Sequence, residues 1–345
     1  MENRLSWVDY AKGMGIILVV YGHVAQGIFS AGLSIDAPSY LLINSIIYSF
    51  HMPLFFALAG WFFLDAVKRK GALNQIGSKV NSVFYVFVVW SILHGLIEVG
   101  LSKFTNNQLT LNELFTLSNH PRNHLWFLFA LFFVSVFCSF IYAFLDRRWQ
   151  LLIFALGVAM YFVGNSYDIS STPVEYYILG FSVFLMFGVS LAKYSEASWF
   201  GQLCSTPLVA LTLLLFAWAQ YSFHLQAGWT WDEGPVLWRL ALALLGVYTL
   251  VVFSRWLGQF ELGLLAFLGR RSLEIYLMHL IAGSGIRIIL HKFLGIDDVT
   301  VHLVAGTVFG IVLPLIGAWF IDKLKLGFLF TPPSFLRVPY LSGGR

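Results

Sequence analysis

Val8-Asp9-Tyr10-Ala11-Lys12-Gly13-Met14-Gly15-Ile16-Ile17-Leu18-Val19-Val20-Tyr21-Gly22-His23, continued by Val24-Ala25-Gln26-Gly27-Ile28-Phe29, is the stretch that decides the fold. A helix needs about 20 mainly apolar residues to cross the hydrocarbon of a bilayer. Residues 8–29 meet that length. The segment before them carries both signs of charge and has no small-residue cleavage pattern, so it does not read as a cleavable leader. Nine further stretches of the same kind follow, at about 40–64, 80–100, 124–145, 150–163, 177–191, 207–223, 237–253, 272–290 and 300–322. The fifth and sixth are short. Residues 259–268 are apolar but too few to cross, and are expected at the interface or as the first turns of the ninth helix.

Composition agrees. Of 345 residues, 59% are hydrophobic and 11% are charged, with a mean hydropathy of +0.78. A soluble globular chain carries about a quarter charged residues, so this one needs lipid around it. The expectation is an all-α, polytopic transmembrane helix bundle of about ten helices, forming one domain over 1–345 with a tail at 326–345. No soluble domain is expected at either end, and no internal repeat of the transporter kind is visible. The net charge of +4 comes without a long basic run, so no nucleic-acid partner is implied. Two cysteines, Cys138 and Cys204, are too few for a disulfide framework or a four-cysteine metal site.

Lys and Arg give the orientation. With the N-terminus inside, Arg4, Lys12, Lys68, Arg69, Lys70, Lys79, Arg147, Arg148, Lys193, Arg255, Arg270, Arg271, Lys323, Lys325, Arg337 and Arg345 fall on the cytoplasmic side. Lys103, Arg122 and Lys292 fall outside, and Arg239 and Arg287 lie in or at the rim of spans. Both termini are then cytoplasmic. The outer loop 101–123 is polar, with Asn106, Asn107, Asn112, Asn119, His120 and Arg122, and suits a hydrophilic ligand.

An ionisable group at mid-membrane costs about 2.5–3.5 kcal/mol on the insertion scale, so each needs a reason. Lys12 and His23 are eleven residues apart, nearly three helical turns and roughly 16 Å along the axis. They point the same way, with Asp9 one turn before Lys12. The bland readings are a positive-inside anchor for Lys12 and a hydrogen-bonded packing histidine for His23. In the second span His51 precedes Pro53. The proline frees a backbone carbonyl and bends the helix, which His51 could satisfy without a chemical role. His94 and Glu98 stand at i and i+4 and can pair. Arg270, Arg271 and Glu274 suggest a salt bridge at the start of the ninth span. His120 and His124 could suggest a metal, but no carboxylate stands at matching spacing, and none is expected. There is no phosphate-cradling glycine loop, no Gly-x-Ser-x-Gly elbow and no His-Glu-x-x-His.

Four blocks, in order, resemble the membrane acyltransferase-3 family. They are Asp9 to His23; Phe50-His51-Met52-Pro53-Leu54-Phe55-Phe56 on to Phe63; His124-Leu125-Trp126-Phe127-Leu128; and Leu268-Gly269-Arg270-Arg271-Ser272-Leu273-Glu274-Ile275-Tyr276-Leu277-Met278-His279. The nearest subgroup is similar to fucose-4-O-acetylase-like and exopolysaccharide O-acetyltransferase members. The resemblance implies a bacterial inner-membrane enzyme. Such an enzyme moves an acetyl group from cytoplasmic acetyl-CoA to a sugar hydroxyl of a surface or exported polysaccharide, or of its lipid-linked precursor.

It also implies residue roles. The family's essential histidine falls on His23, and its partner, usually arginine, falls on Lys12; Asp9 joins them as a candidate orienting acid. The cations that hold the CoA phosphates fall on Lys68, Arg69, Lys70 and Lys79, without the Arg-x-x-Arg pattern common there. His51, Trp126 and His124 are the candidate acceptor-side residues. The expected partners are acetyl-CoA, a glycan or lipid-linked oligosaccharide, the bilayer and polysaccharide assembly machinery. Direct transfer with His23 as general base and an acyl-histidine intermediate both stay open. So do two other functions: a transporter or flippase with histidine proton relays, and a non-catalytic partner of a polysaccharide assembly complex.

Overall fold

The computed structural model describes residues 6–100, 123–167 and 170–341, without the side chains of residues 123, 198 and 199. Arg4, Lys103, His120, Arg122 and Arg345, and with them residues 101–122, lie outside the described residues. Among the described residues every regular element is helical. Among these described residues ten helices are long and apolar enough to cross a membrane: α1 Ser6–Ser30, α2 Ala37–Lys70, α3 Ala72–Gly100, α4 Trp126–Phe144, α5 Arg147–Ser166, α6 Pro173–Tyr194, α7 Thr206–Gln226, α8 Val236–Leu257, α9 Ser272–Phe293 and α10 Val299–Lys323. The chain is a multi-pass, all-α membrane protein.

Several helices differ in detail from the hydropathy reading, each for a local reason. α5 and α6 are not short, at 20 and 22 residues. Their first turns are polar, so hydropathy misses them. At α6 the Thr172 hydroxyl accepts from the Glu175 N–H at 3.3 Å, and the Glu175 carboxylate accepts from the Thr172 N–H at 3.2 Å. This is a reciprocal capping box, with Pro173 supplying the first turn. α2 is a run of 34 residues with breaks at Ser49-Phe50 and at Phe62. At the first break the ring Nδ1–H of His51 donates to the Ile47 carbonyl at 2.7 Å, so the imidazole satisfies backbone at the break rather than the Ser49 carbonyl that Pro53 frees. Residues 259–268 are not the first turns of α9. Gly263–Arg270 is a helix of its own, ended at Arg271, and it seats against α1.

The chain packs as two compact units, Met1–Phe55 with Ala197–Leu324, and Phe56–Glu196 with Lys325–Arg345. In the first, α1 packs against α8, α9, α10 and Gly263–Arg270. Ala11, Ile16, Val19, Val20 and Ile28 of α1 are buried to within 1%. Two helices approach most closely where side chains are absent. A Cβ on Gly269 would stand 1.8 Å from the Asp9 carbonyl oxygen, and one on Gly13 would stand 2.4 Å from that of Leu265. Small residues let helix backbones meet in this way in membranes. The Tyr10 hydroxyl closes the same contact by donating to the Phe260 carbonyl at 3.0 Å.

In the second unit the crossing of α2 and α6 is also built on glycine. A Cβ on Gly60 would meet the Leu185 carbonyl oxygen at 2.0 Å, and one on Gly188 that of Ala57 at 1.9 Å. Phe56, Phe127 and Phe181 fill the space beside this crossing, with ring centroids 5.0 and 5.1 Å apart. The tail returns to α3. Asn81 exchanges two hydrogen bonds with the backbone of Val338, at 2.9 and 3.0 Å, and Asn74 exchanges two with Leu341, at 2.7 and 3.3 Å. The Tyr85 hydroxyl and the Trp90 indole N–H donate to the carbonyls of Phe328 and Leu329, each at 2.8 Å.

Candidate active site

α1 runs unbroken from Ser6 to Ser30, so the eleven residues from Lys12 to His23 are three turns of one continuous helix. Asp9 is buried at 4% exposure, beneath Gly269. Lys12 is half-buried one turn on. The 260–270 segment therefore fixes this end of α1.

His23 is half-buried, and its Nδ1 stands 2.9 Å from the Val19 carbonyl oxygen. A carbonyl only accepts, so Nδ1 carries the proton and, in the neutral ring, Nε2 carries the lone pair. The helix sets the tautomer of its own histidine. His51 is held in the same way by Ile47, at 2.7 Å, and His279 by Tyr276, also at 2.7 Å.

These rings gather in the first unit. His279 meets His23 edge-on at a centroid distance of 5.0 Å. Tyr48 lies 6.4 Å from His23 and 4.7 Å from His51. Trp231 stacks on the far side of Tyr48 at 6.1 Å. Imidazoles from α1 and α2 thus flank one phenol, and that of α9 meets the α1 ring, each tautomer fixed by its own helix. Such a group can accept a proton at one nitrogen, which suits general-base chemistry on a hydroxyl.

The structure brings His23 and His51, from separate spans, beside Tyr48. The sequence singles out neither Tyr48 nor His279 as a neighbour of His23. Lys12 and Asp9 share the helix with His23 but lie about three and four turns away. The expected ion pair at the start of α9 is present, with Arg271 2.9 Å from Glu274, and Asp322 is 3.8 Å from the same guanidinium.

The remaining candidates belong to the second unit. Trp126 stacks on Tyr177 at 5.6 Å and tilts against Phe181 at 5.3 Å. His124 is 2% exposed, and its ring is 5.1 Å from that of His94. Of the four cations, Lys68 pairs with Asp146 at 2.9 Å. The Lys70 ammonium donates to Ser78 at 3.3 Å and sits 5.8 Å from the centre of the Tyr340 ring. Arg69 is exposed and Lys79 half-buried. Asp146 and Glu196 lie beyond the ends of the spans and are held below the usual carboxylate range. The main causes are the hydrogen bonds from Lys68 and from Arg147 respectively.

The acyltransferase-3 family model, described as an acyltransferase domain, matches residues 5–323. Nodulation protein NolL of Mesorhizobium japonicum is 29% identical over 185 residues, which is 52% of this chain and 48% of that protein. NolL of Sinorhizobium fredii is 28% identical over 163 residues, covering 46% and 43%. The chain spans about half the length of the curated relatives it matches. No solved structure matches it.

Proposed function

This chain belongs to the acyltransferase-3 family, and from that premise we propose that it transfers an acetyl group from cytoplasmic acetyl-CoA to a sugar hydroxyl. The acceptor is a surface or exported polysaccharide or its lipid-linked precursor, and His23 is the general base. The observation that carries the reading is the Nδ1–Val19 hydrogen bond, which leaves the lone pair of the neutral ring on Nε2. Nε2 takes the hydroxyl proton as the sugar oxygen bonds to the thioester carbonyl carbon. The C–S bond then breaks, the sulfur recovers the proton as the CoA thiol, and the acetyl ester stays on the sugar. A neutral imidazole is suited to this near pH 7.

Lys12 and Asp9 serve the donor end of the same helix, and Lys68, Arg69, Lys70 and Lys79 take the CoA phosphates. Lysines act there as point charges rather than as bidentate forks. His51, Trp126 and His124 serve the acceptor. The excess of Lys and Arg on one set of loops supports cytoplasmic termini in a bacterial inner membrane. Residues 1–345 act as one membrane acyltransferase domain.

The test uses purified protein, acetyl-CoA and a panel of acceptor glycans, with free CoA and glycan-bound acetyl as readouts. His23→Ala should lower turnover at least about 100-fold, the usual contribution of a general base, while inserting and melting as the parent does. Full turnover in that variant refutes the base. Counterflow of glycan without CoA release points instead to a transporter.

A further inference from the structure

The first unit holds a second polar constellation, further along α1 from Lys12. α1, α9 and α10 border a cleft whose lining includes His23, Gly27, His279, Ser284, Arg287 and His302. Glycine keeps it open: the nearest atom to a Cβ on Gly27 would be Nε of Arg287, at 3.8 Å. So much polar lining within apolar helices needs a purpose. Sequence reading assigned none to Arg287 or His302.

His302 is the informative member. Asp298 caps α10, its carboxylate accepting from the Val301 N–H at 2.8 Å. The loop before it is tied down when the His302 ring donates from Nε2 to the Ile296 carbonyl at 2.8 Å. Because a carbonyl only accepts, Nε2 holds the proton and Nδ1 the lone pair. The ring is 1% exposed, and Nδ1 has no hydrogen-bond partner. A buried acceptor left unpaired is destabilising, and such atoms mark places where a donor arrives.

We propose that this cleft, with an open volume of about 20 Å³, admits one hydroxyl-bearing edge of the acceptor sugar, and that His302 is a specificity-determining residue whose Nδ1 accepts from a hydroxyl other than the one being acylated. The assignment rests on the acyltransferase reading above. A sugar hydroxyl is a neutral donor of the right kind for a neutral imidazole. Ser284 and Arg287 line the same cleft and bring donors for ring and hydroxyl oxygens. His23 borders the cleft too, so the reacting hydroxyl and the recognised one are read by walls of a single site. A site built around one hydroxyl discriminates strongly against an analogue that lacks it.

Two substitutions separate recognition from loop-holding. His302→Gln keeps a donor near the Nε2 position for Ile296 and removes the acceptor at Nδ1. His302→Asn keeps an acceptor near Nδ1 and gives up the tie to Ile296. With the full-length protein, acetyl-CoA and methyl glycosides of glucose, galactose, mannose and fucose, His302→Gln should raise the acceptor KM about ten-fold. The KM for acetyl-CoA should not move. His302→Asn should stay within about three-fold of the parent.

A deoxy acceptor lacking the recognised hydroxyl should show the same ten-fold loss with the parent and little further loss with His302→Gln, the pattern of a coupled pair. The opposite ranking of the two variants assigns His302 to loop structure and overturns the subsite. So does an unchanged acceptor KM in His302→Gln while the parent still releases CoA. If the parent releases no CoA with any glycoside, the acyltransferase reading itself falls, and this assignment falls with it.

Discussion

Replacing Gly269 by alanine should loosen the Asp9–Lys12 end of α1, and the amount follows from the geometry. The new Cβ would stand 1.8 Å from the Asp9 carbonyl oxygen, 2.6 Å from its carbon and 2.9 Å from its Cα. Ordinary contact begins at 3.4 Å, so the two backbones must separate by about 1.6 Å. All three obstacles are main chain, and none can swing aside as a side-chain tip could. Overpacking of this kind costs about 1–3 kcal/mol, and the backbone obstacles put Gly269 at the upper end. Gly285, in α9, is the matched control. A Cβ there meets nothing within 4 Å, so Gly285→Ala should be neutral, or more stable by up to about 1 kcal/mol through helix propensity. Thermal unfolding in detergent compares the two directly. Gly269→Ala should melt several degrees below the parent and Gly285→Ala at or above it. Because a misplacement of about 1 Å can cost roughly 100-fold in rate, CoA release by Gly269→Ala should fall further than its loss of folded protein explains. A Gly269→Ala variant that melts with the parent refutes the close-approach argument.

Three other outcomes are expected. Lys68→Ala with Arg69→Ala should raise the KM for acetyl-CoA several-fold. It should hardly move the melting temperature, since Lys68–Asp146 is an exposed pair, 43% and 55% accessible, and solvent screens such pairs; an unchanged donor KM removes these cations from the donor site. Asp146→Asn should narrow the loss of stability in acid. The native carboxyl titrates below its unfolded value, about 3.9, so its stabilisation is complete above that pH and disappears as pH falls through the lower native value. Tryptophan fluorescence titrated from pH 6 to pH 2 reads the difference, and identical acid limbs contradict it. Asn74→Ala with Asn81→Ala removes four hydrogen bonds to the tail, so hydrogen exchange over 327–341 should quicken markedly; unchanged protection means that other contacts hold the tail.

Ten crossings were legible because lipid imposes a length and a polarity that show in any window of the chain. Helix ends were less so. The start of α6 at Pro173 is set by Thr172 and Glu175, polar residues that hydropathy counts as loop. Pro53 signalled a bend in α2, but the break falls at Ser49-Phe50, where the backbone opens and the His51 ring fills in. At the site, His23 and His51 stood out because ionisable groups in apolar helices are costly. Their meeting with Tyr48 and His279 was not legible. It depends on which faces of α1, α2 and α9 turn toward each other, and 3.6-residue periodicity cannot say that for helices apolar on nearly every side. The Asp9–Gly269 contact was hidden for the same reason: both residues lay in quoted blocks, with nothing in either to say that they touch.

The asparagine ties to the tail bear on the order in which the molecule can be completed. Asn81 and Val338 are 257 positions apart, and Asn74 and Leu341 are 267 apart. The unit containing Phe56–Glu196 includes residues made only after all of Ala197–Leu324. A ribosome adds about 5–20 residues per second, so α3 waits roughly ten seconds or more for its last partners to be synthesised. Until then Asn74, Asn81, Tyr85 and Trp90 have no tail to bond. This contact is among the last that synthesis allows, and the basic segment beside it takes its final form only when the chain is nearly whole.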